Sequence, residues 1–273
     1  MTLRLLSTCF LVALFITPAC AREKLEEVVE YTLDFTPGEK LQVRTQNGGI
    51  TVETWDRDQI LIHAVKKASA NSEEDAEELL ETTTIELEQL SNGIAIHTER
   101  PDRWKLFKRT SISVDYTLTV PENVQLDLKS VNGSISTSPT TGSAKGNTVN
   151  GSIRMTGTHG TINAHTVNGK IDLTQILGGV EAKTVNGEIG IEIIDQTDEH
   201  IQAETLNGKV QLTLPPDFQA HLQAQTRNGS IHTDFPITVK GRIGKSLSGN
   251  INGGSGPDIH LQTMNGSIRI GQQ

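Results

Sequence analysis

The chain has 273 residues, 24 Lys+Arg against 33 Asp+Glu, and a formal net charge of −9. Its two cysteines, Cys9 and Cys20, both fall in the first 20 residues, so the remainder can hold no disulfide framework, thiol nucleophile or thiolate metal site. An acidic chain without a basic block is a poor nucleic-acid binder, and aromatic residues at 4% beside 25 glycines leave few bulky side chains for a thick core.

Residues 1–21 have the pattern of a secretory signal. Arg4 makes a basic start, Leu5 to Ile16 is an apolar run, and Ala19-Cys20-Ala21 is a small-x-small cleavage site. The run is shorter than the ~20 residues a membrane span needs, and no later segment is apolar enough to cross. Cleavage after Ala21 removes Arg4 and takes the net charge to −10. Cys20 also invites a lipoprotein reading. That signal places Leu three residues before the cysteine, where this chain has Thr17, followed by the awkward Pro18. Export to the periplasm or outside, with cleavage and without a lipid anchor, is therefore expected.

Residues 22–125 read as an N-terminal β-rich capping region. Strands are expected at Tyr31 to Phe35, Leu41 to Arg44, Ile50 to Thr54 and Gln59 to Ala64, with turns at Thr36-Pro37-Gly38 and Asn47-Gly48-Gly49. A short helix follows at Asn71 to Leu80. Asn71 or Ser72 can cap it, its first turn is acidic, and Ala76, Leu79 and Leu80 make one apolar face. Further strands are expected at Thr83 to Gln89, Ile94 to His97 and Ser111 to Val120. Solenoid ends expose strand edges that need cover, so this region is expected to cap the first coil, with the helix as its lid.

Residues 126–273 are a repeat. Asn-Gly pairs stand at Asn132-Gly133, Asn150-Gly151, Asn168-Gly169, Asn186-Gly187, Asn207-Gly208, Asn228-Gly229 and Asn265-Gly266, with gaps of 18, 18, 18, 21, 21 and 37 residues. Two residues before the Asn stand Ser130, Thr148, Thr166, Thr184, Thr205, Thr226 and Thr263; three after it stand Ile135, Ile153, Ile171, Ile189, Val210, Ile231 and Ile268. A position that accepts only a small hydroxyl, or only a β-branched aliphatic, reads as buried strand. Asn47-Gly48, with Thr45 and Ile50, is an outlying copy.

Asn-Gly is also the strongest short hairpin signal, so a hairpin meander competes. In a hairpin Thr148 would oppose Ile153 and Val149 would oppose Ser152, mixing polar and apolar on both faces. A parallel β-solenoid of 18–21-residue coils avoids this. Asn-Gly becomes a corner held at positive φ. Ala, Thr and Asn point inward before it, Ile and the residue two later point inward after it, and equivalent residues stack ~4.8 Å apart. The outward positions carry opposite charges on neighbouring rungs, Lys170, Glu188 and Lys209, and Arg154 and Asp172.

Immediately before each Asn come Val131, Val149, Val167, Val185 and Leu206, then Arg227 and Met264. Alternation turns this position away from Thr. Five stacked aliphatics on an outer face form a candidate interaction stripe, unless another part of the chain covers them.

No chemistry-bearing motif survives inspection. The eight histidines show no metal-ligand spacing. Gly241 to Ser246 resembles the end of a phosphate loop but has Val239 where its first glycine belongs. Gly253 to Asp258 resembles a calcium-binding repeat that occurs once. No catalytic set, metal site or cofactor site is expected.

The order of signal, short strands, acidic helix, a strand ending Val120-Pro121 and tandem Thr-Val-Asn-Gly-x-Ile repeats resembles a bacterial candidate-adhesin β-strand-repeat family, also called toastrack, of unknown function. The resemblance implies a non-enzymatic, exported cell-envelope solenoid that binds or scaffolds, in adhesion or envelope sensing, with an unidentified envelope protein or glycan as partner. Two other readings remain open. One is a carbohydrate-active β-helix enzyme, needing Asp172, Glu188, Glu192 and a basic residue gathered in a cleft. The other is a structural protein, a homo-oligomer assembling through an uncapped C-terminal edge.

Overall fold

The structure, a computed structural model, describes residues 22–100, 110–239 and 245–273. The expected signal sequence, with Cys9, Cys20 and the expected cleavage after Ala21, lies outside the described residues, as does most of the phosphate-loop-like stretch.

Each coil runs one strand into an Asn-Gly corner and a second strand out of it, and the two sets form two sheets facing each other. In chain order Ala144–Asn147 precedes the Asn150 corner and Ile153–Thr156 follows it; Ile162–His165 precedes the Asn168 corner and Ile171–Ile176 follows it. Ala144 pairs with Ile162 and Ile153 with Ile171, both in parallel register. This is the parallel solenoid rather than the hairpin meander. A hairpin would have paired each strand with its chain neighbour across the corner.

The inward set is as the period dictates. Ala164, Ala182 and Ala203 are buried before the corner, with Gly146 in their column on the preceding coil, and Ile153, Ile171, Ile189 and Val210 are buried after it. One hydrophobic cluster runs from Leu33 to Ile270. Its aromatic members, Phe35 and Tyr116 towards one end and Phe218 and Phe235 towards the other, belong to the terminal parts of the ladder. The middle is filled by Ala, Ile, Val and Leu with Met155, so scarce aromatics suffice.

Chain order is not spatial order. The outlying copy at Asn47 is a rung of the ladder. Its strands Lys40–Arg44 and Ile50–Trp55 pair in parallel with Gln125–Lys129 and Ile135–Thr137. Pairing therefore runs across residue 125 in both sheets. Beyond this rung the post-corner sheet continues through Ser111–Pro121 to the antiparallel strands Gln59–Ala70 and Glu23–Asp34, and the pre-corner sheet through Gly93–Glu99 to Thr84–Leu90.

The helix Glu73–Thr82 is capped by Ser72, whose hydroxyl accepts from the Asp75 amide at 3.2 Å. Its buried Ala76 and Leu79 form a separate small cluster with Ala68, Ala70 and Ile112. Lys66, itself buried, donates to the Leu80 carbonyl at 3.3 Å and to Glu27 at 3.0 Å, tying the helix end to the sheet.

The C-terminal edge is corrected by the structure. The last coil, Asp258–Asn265 and Ile268–Gln272, lies between the coil of Ile201–Asn207 and Val210–Leu214 and the coil of Ala220–Asn228 and Ile231–Thr233. The chain end is thus paired on both sides. The outermost pre-corner strand of that coil is covered in turn by the antiparallel strands Ser246–Ile251 and Ile237–Val239. The 37-residue gap makes this possible: the chain builds the outer coil and its cover first, then returns to fill the slot beneath.

Candidate functional site

The corners form one continuous seam, and two expectations about it need correction. The asparagines do not point inward. They are exposed or half-buried and stack as an amide ladder. Asn132 Nδ2 donates to Asn47 Oδ1 at 2.8 Å, and the same bond repeats from Asn150, Asn168, Asn186, Asn207, Asn265 and Asn228, each to the rung before it, at 2.8–2.9 Å. An outward amide both donates and accepts along the ladder axis, which an apolar side chain at this position could not do.

Nor do the repeat glycines hold positive φ; among the corner residues only Gly48 does, at 128°. Their requirement is close approach. A Cβ on Gly133, Gly151, Gly169, Gly187, Gly208, Gly266 or Gly229 would stand 1.8–2.1 Å from the carbonyl oxygen of the glycine on the adjacent rung. That carbonyl accepts from a repeat hydroxyl instead. Thr148 Oγ1 reaches Gly133 O at 2.9 Å, Thr166 reaches Gly151 O at 2.9 Å and Thr184 reaches Gly169 O at 3.2 Å. The buried hydroxyl position is thereby explained: it satisfies a carbonyl that the strand ladders leave free.

Beside the seam, on the outer face of the pre-corner sheet, runs the aliphatic stripe. Val149, Val167, Val185 and Leu206 are each 38–39% exposed, and Val131 is half-buried. No described segment covers them. Because the last coil is inserted, Met264 (39%) stands next to Leu206, and Arg227 follows it. In spatial order the column is Gln46, Val131, Val149, Val167, Val185, Leu206, Met264, Arg227: six contiguous apolar residues between two polar ends. The sequence marks Met264 as occupying this frame position but not as the sixth member of the stripe.

Two residues earlier in each strand, on the same face, a parallel column runs Arg44, Lys129, Asn147, His165, Lys183, Glu204, Gln262, Gln225. Lys183 pairs with Glu181 at 2.7 Å, and that hydrogen bond holds the Glu181 carboxyl below its ordinary range. Burial lowers the His165 imidazole below its usual value. Where the stripe begins, a cavity of about 370 Å³ is lined by Arg44, Gln46, Asn47, Glu99, Lys129 and Val131 among others. Its walls carry more positive than negative charge, in an otherwise acidic chain.

The carboxylates proposed for an enzyme are not gathered. Asp172 pairs with Lys170 at 3.2 Å and Arg154 at 3.7 Å, and Glu188 with Lys209 at 3.7 Å. Asp172 and Glu192 lie two residues apart in register on the outer face of the post-corner sheet, since Asp172 stands beside Gly190. The expected link from Lys170 to Glu188 is replaced by the pair to Asp172. No group of three or more His, Cys, Asp or Glu that could hold a metal occurs among the described residues.

Residues 39–271 match the family described as Toastrack DUF4097. Solved structures similar in shape include a candidate cell adhesion protein from Clostridium sporogenes, 14% identical, covering 89% of this chain and 99% of that one with a TM-score of 0.38. Others are a candidate adhesin from Bacteroides fragilis (12% identical, 90% and 97% covered, TM-score 0.43) and a candidate lipid binding protein from Parabacteroides distasonis (12%, 92% and 97%, 0.37). Among curated proteins none matches.

Proposed function

We propose, from the premise that this chain belongs to the Toastrack DUF4097 family, that it is an exported, non-enzymatic binding or scaffold module of the cell envelope. The stripe is its contact surface. Residues 1–21 act as the export signal, 22–125 close one end of the solenoid, and 126–273 present the repeat. Among the described residues no helix is long and apolar enough to cross a membrane.

The observation that carries the reading is the exposed stripe. Soluble proteins leave single apolar residues bare without consequence, but a contiguous row with polar ends marks a contact surface. The ladder beneath makes that surface rigid, because every stripe residue sits between a buried serine or threonine and a hydrogen-bonded asparagine. Two of the three carboxylates that hydrolysis would need, Asp172 and Glu188, are instead occupied in ion pairs on the outer face.

Retention on isolated cell envelopes tests it. The full chain should be retained, and the variant Val149→Lys/Val167→Lys/Val185→Lys should pass through with an unchanged melting temperature. Equal retention of that variant, or turnover of any member of a polysaccharide panel by the wild type, refutes the reading.

A further inference from the structure

The partner that best fits the stripe is, we infer, a second copy of this chain, packed stripe against stripe with the two ladders antiparallel. This rests on the reading of the stripe as a contact surface and names what meets it.

The first argument is period. Stripe side chains repeat once per rung, about every 4.8 Å. An extended peptide repeats on one face about every 6.6–6.8 Å, and a helix turns every 5.4 Å. Neither keeps step over six rungs. An identical ladder does, and identical stacked side chains from paired sheets interdigitate into dry interfaces for this reason.

The second argument is polarity along the column. With a two-fold axis across the stripe between the Val167 and Val185 rungs, Val131 opposes Met264 of the second copy, Val149 opposes Leu206, and Val167 opposes Val185. Shorter side chains thus meet longer ones over most of the length. The end residue Arg227 meets Gln46. A parallel arrangement would instead set each Arg227 against its own copy, a like-charge contact that opposes association.

The flanking column agrees. The same axis keeps the end cations away from one another: it sets Arg44 opposite Gln225 and Lys129 opposite Gln262, with Asn147 opposite Glu204. His165 meets Lys183, and burial favours the neutral imidazole there.

Area sets the strength. Six rungs span about 24 Å, and with one neighbouring column the footprint is about 300 Å². A standard interface buries about 800 Å² per partner. The association is therefore weak and concentration-dependent, suited to molecules crowded on one surface.

Cysteine cross-linking reads the geometry directly. In the full chain carrying Cys9→Ser and Cys20→Ser, Val149→Cys together with Leu206→Cys should give a disulfide-linked dimer on oxidation. Val149→Cys alone should not, because its two copies lie three rungs, about 14 Å, apart, beyond disulfide reach. The same spacing prevents a bond within one chain. Wild-type protein should sediment as a reversible monomer–dimer mixture at high concentration, and Val167→Lys as monomer. Monomer at every concentration with no cross-link overturns the inference, as does a cross-link from Val149→Cys alone. The two readings separate. Envelope retention through the stripe by a protein that never dimerises sinks only this inference. Dimerisation with retention that ignores the stripe sinks only the reading before it.

Discussion

Replacing Gly187 tests the structural account of the corner. A Cβ added there would stand 1.9 Å from the Gly169 carbonyl oxygen and 2.6 Å from its carbon. Gly187 has no positive φ, so backbone conformation is not what forbids a side chain. To reach a tolerable contact the two rungs must part by about 1 Å, and several bonds cross that gap. Asn186 Nδ2 to Asn168 Oδ1 (2.9 Å), Thr184 Oγ1 to Gly169 O (3.2 Å) and the Gly169 amide to Asn186 O (3.1 Å) would stretch beyond bonding range. Losing two or three bonds at about 1 kcal/mol each gives a cost of about 2–3 kcal/mol. For a chain of this size that is a fall of roughly 4–12 °C in melting temperature. Gly187→Ala and Gly187→Asn should be equally damaging, whereas a positive-φ site would spare Asn. The control is Gly190→Ala, three residues on, whose Cβ meets only the Asp172 carboxylate at 3.3 Å. It should cost under about 1 kcal/mol, since a carboxylate on an outer face can swing aside. Thermal unfolding by circular dichroism decides the matter. If Gly187→Ala melts where Gly190→Ala does, close approach is not what the corner requires.

Four further outcomes follow from the same geometry. Thr184→Val keeps the shape but strands the Gly169 carbonyl, and should cost about 1–2 kcal/mol in urea unfolding while Thr184→Ser costs less; equal stability of all three would remove the hydroxyl's role. Asn168→Ala breaks two ladder bonds and Asn228→Ala, at the end, breaks one, so the first should destabilise about twice as much, near 1 kcal/mol; the reverse order would contradict the ladder. Stability should fall with acid in two stages. Burial depresses the His165 pKa, so its contribution is complete above about 6.5 and lost as pH falls below it. At Asp127 burial pushes upward, but hydrogen bonds from Gln42 and Lys40 and the nearby Lys145 outweigh it and hold the carboxyl below 3.8; its contribution is present above that value and lost as pH falls through the depressed one. His165→Gln should flatten melting temperature against pH between about 5 and 7, and Asp127→Asn only below about 4; unchanged profiles would argue against both. Finally, a stop codon at Asp258 empties an interior slot of both sheets, so the product should lose cooperative unfolding or aggregate; a soluble product melting like the full chain would show that the last coil is dispensable.

Much of the site is legible in the sequence. The hydroxyl, Asn-Gly and aliphatic positions recur in one chain, so each repeat reports independently on what its environment accepts. That identified Thr148, Thr166 and Thr184 as buried, Ile153 and Ile171 as core, and Val149, Val167 and Val185 as facing away from them. The role of the corner pair was less legible. Asn-Gly also suits a positive-φ turn, and only the neighbouring rung shows that Gly151 is needed because Gly133 O lies where its side chain would be.

Local sequence determined the shape of one coil: where it bends, which side chains enter it and which stay outside. Tertiary structure alone decided which coil lies on which. Asn47 joins Asn132 from 85 residues away, and Asn265 slips between Asn207 and Asn228. The physical reason is that the rungs are nearly interchangeable. A stacking surface made of the same Ala, Thr, Asn, Gly and Ile accepts any other coil in register, so the order depends on how long connections such as the 37-residue gap fold back. That order, in turn, completes the stripe with Met264 and ends it at Arg227.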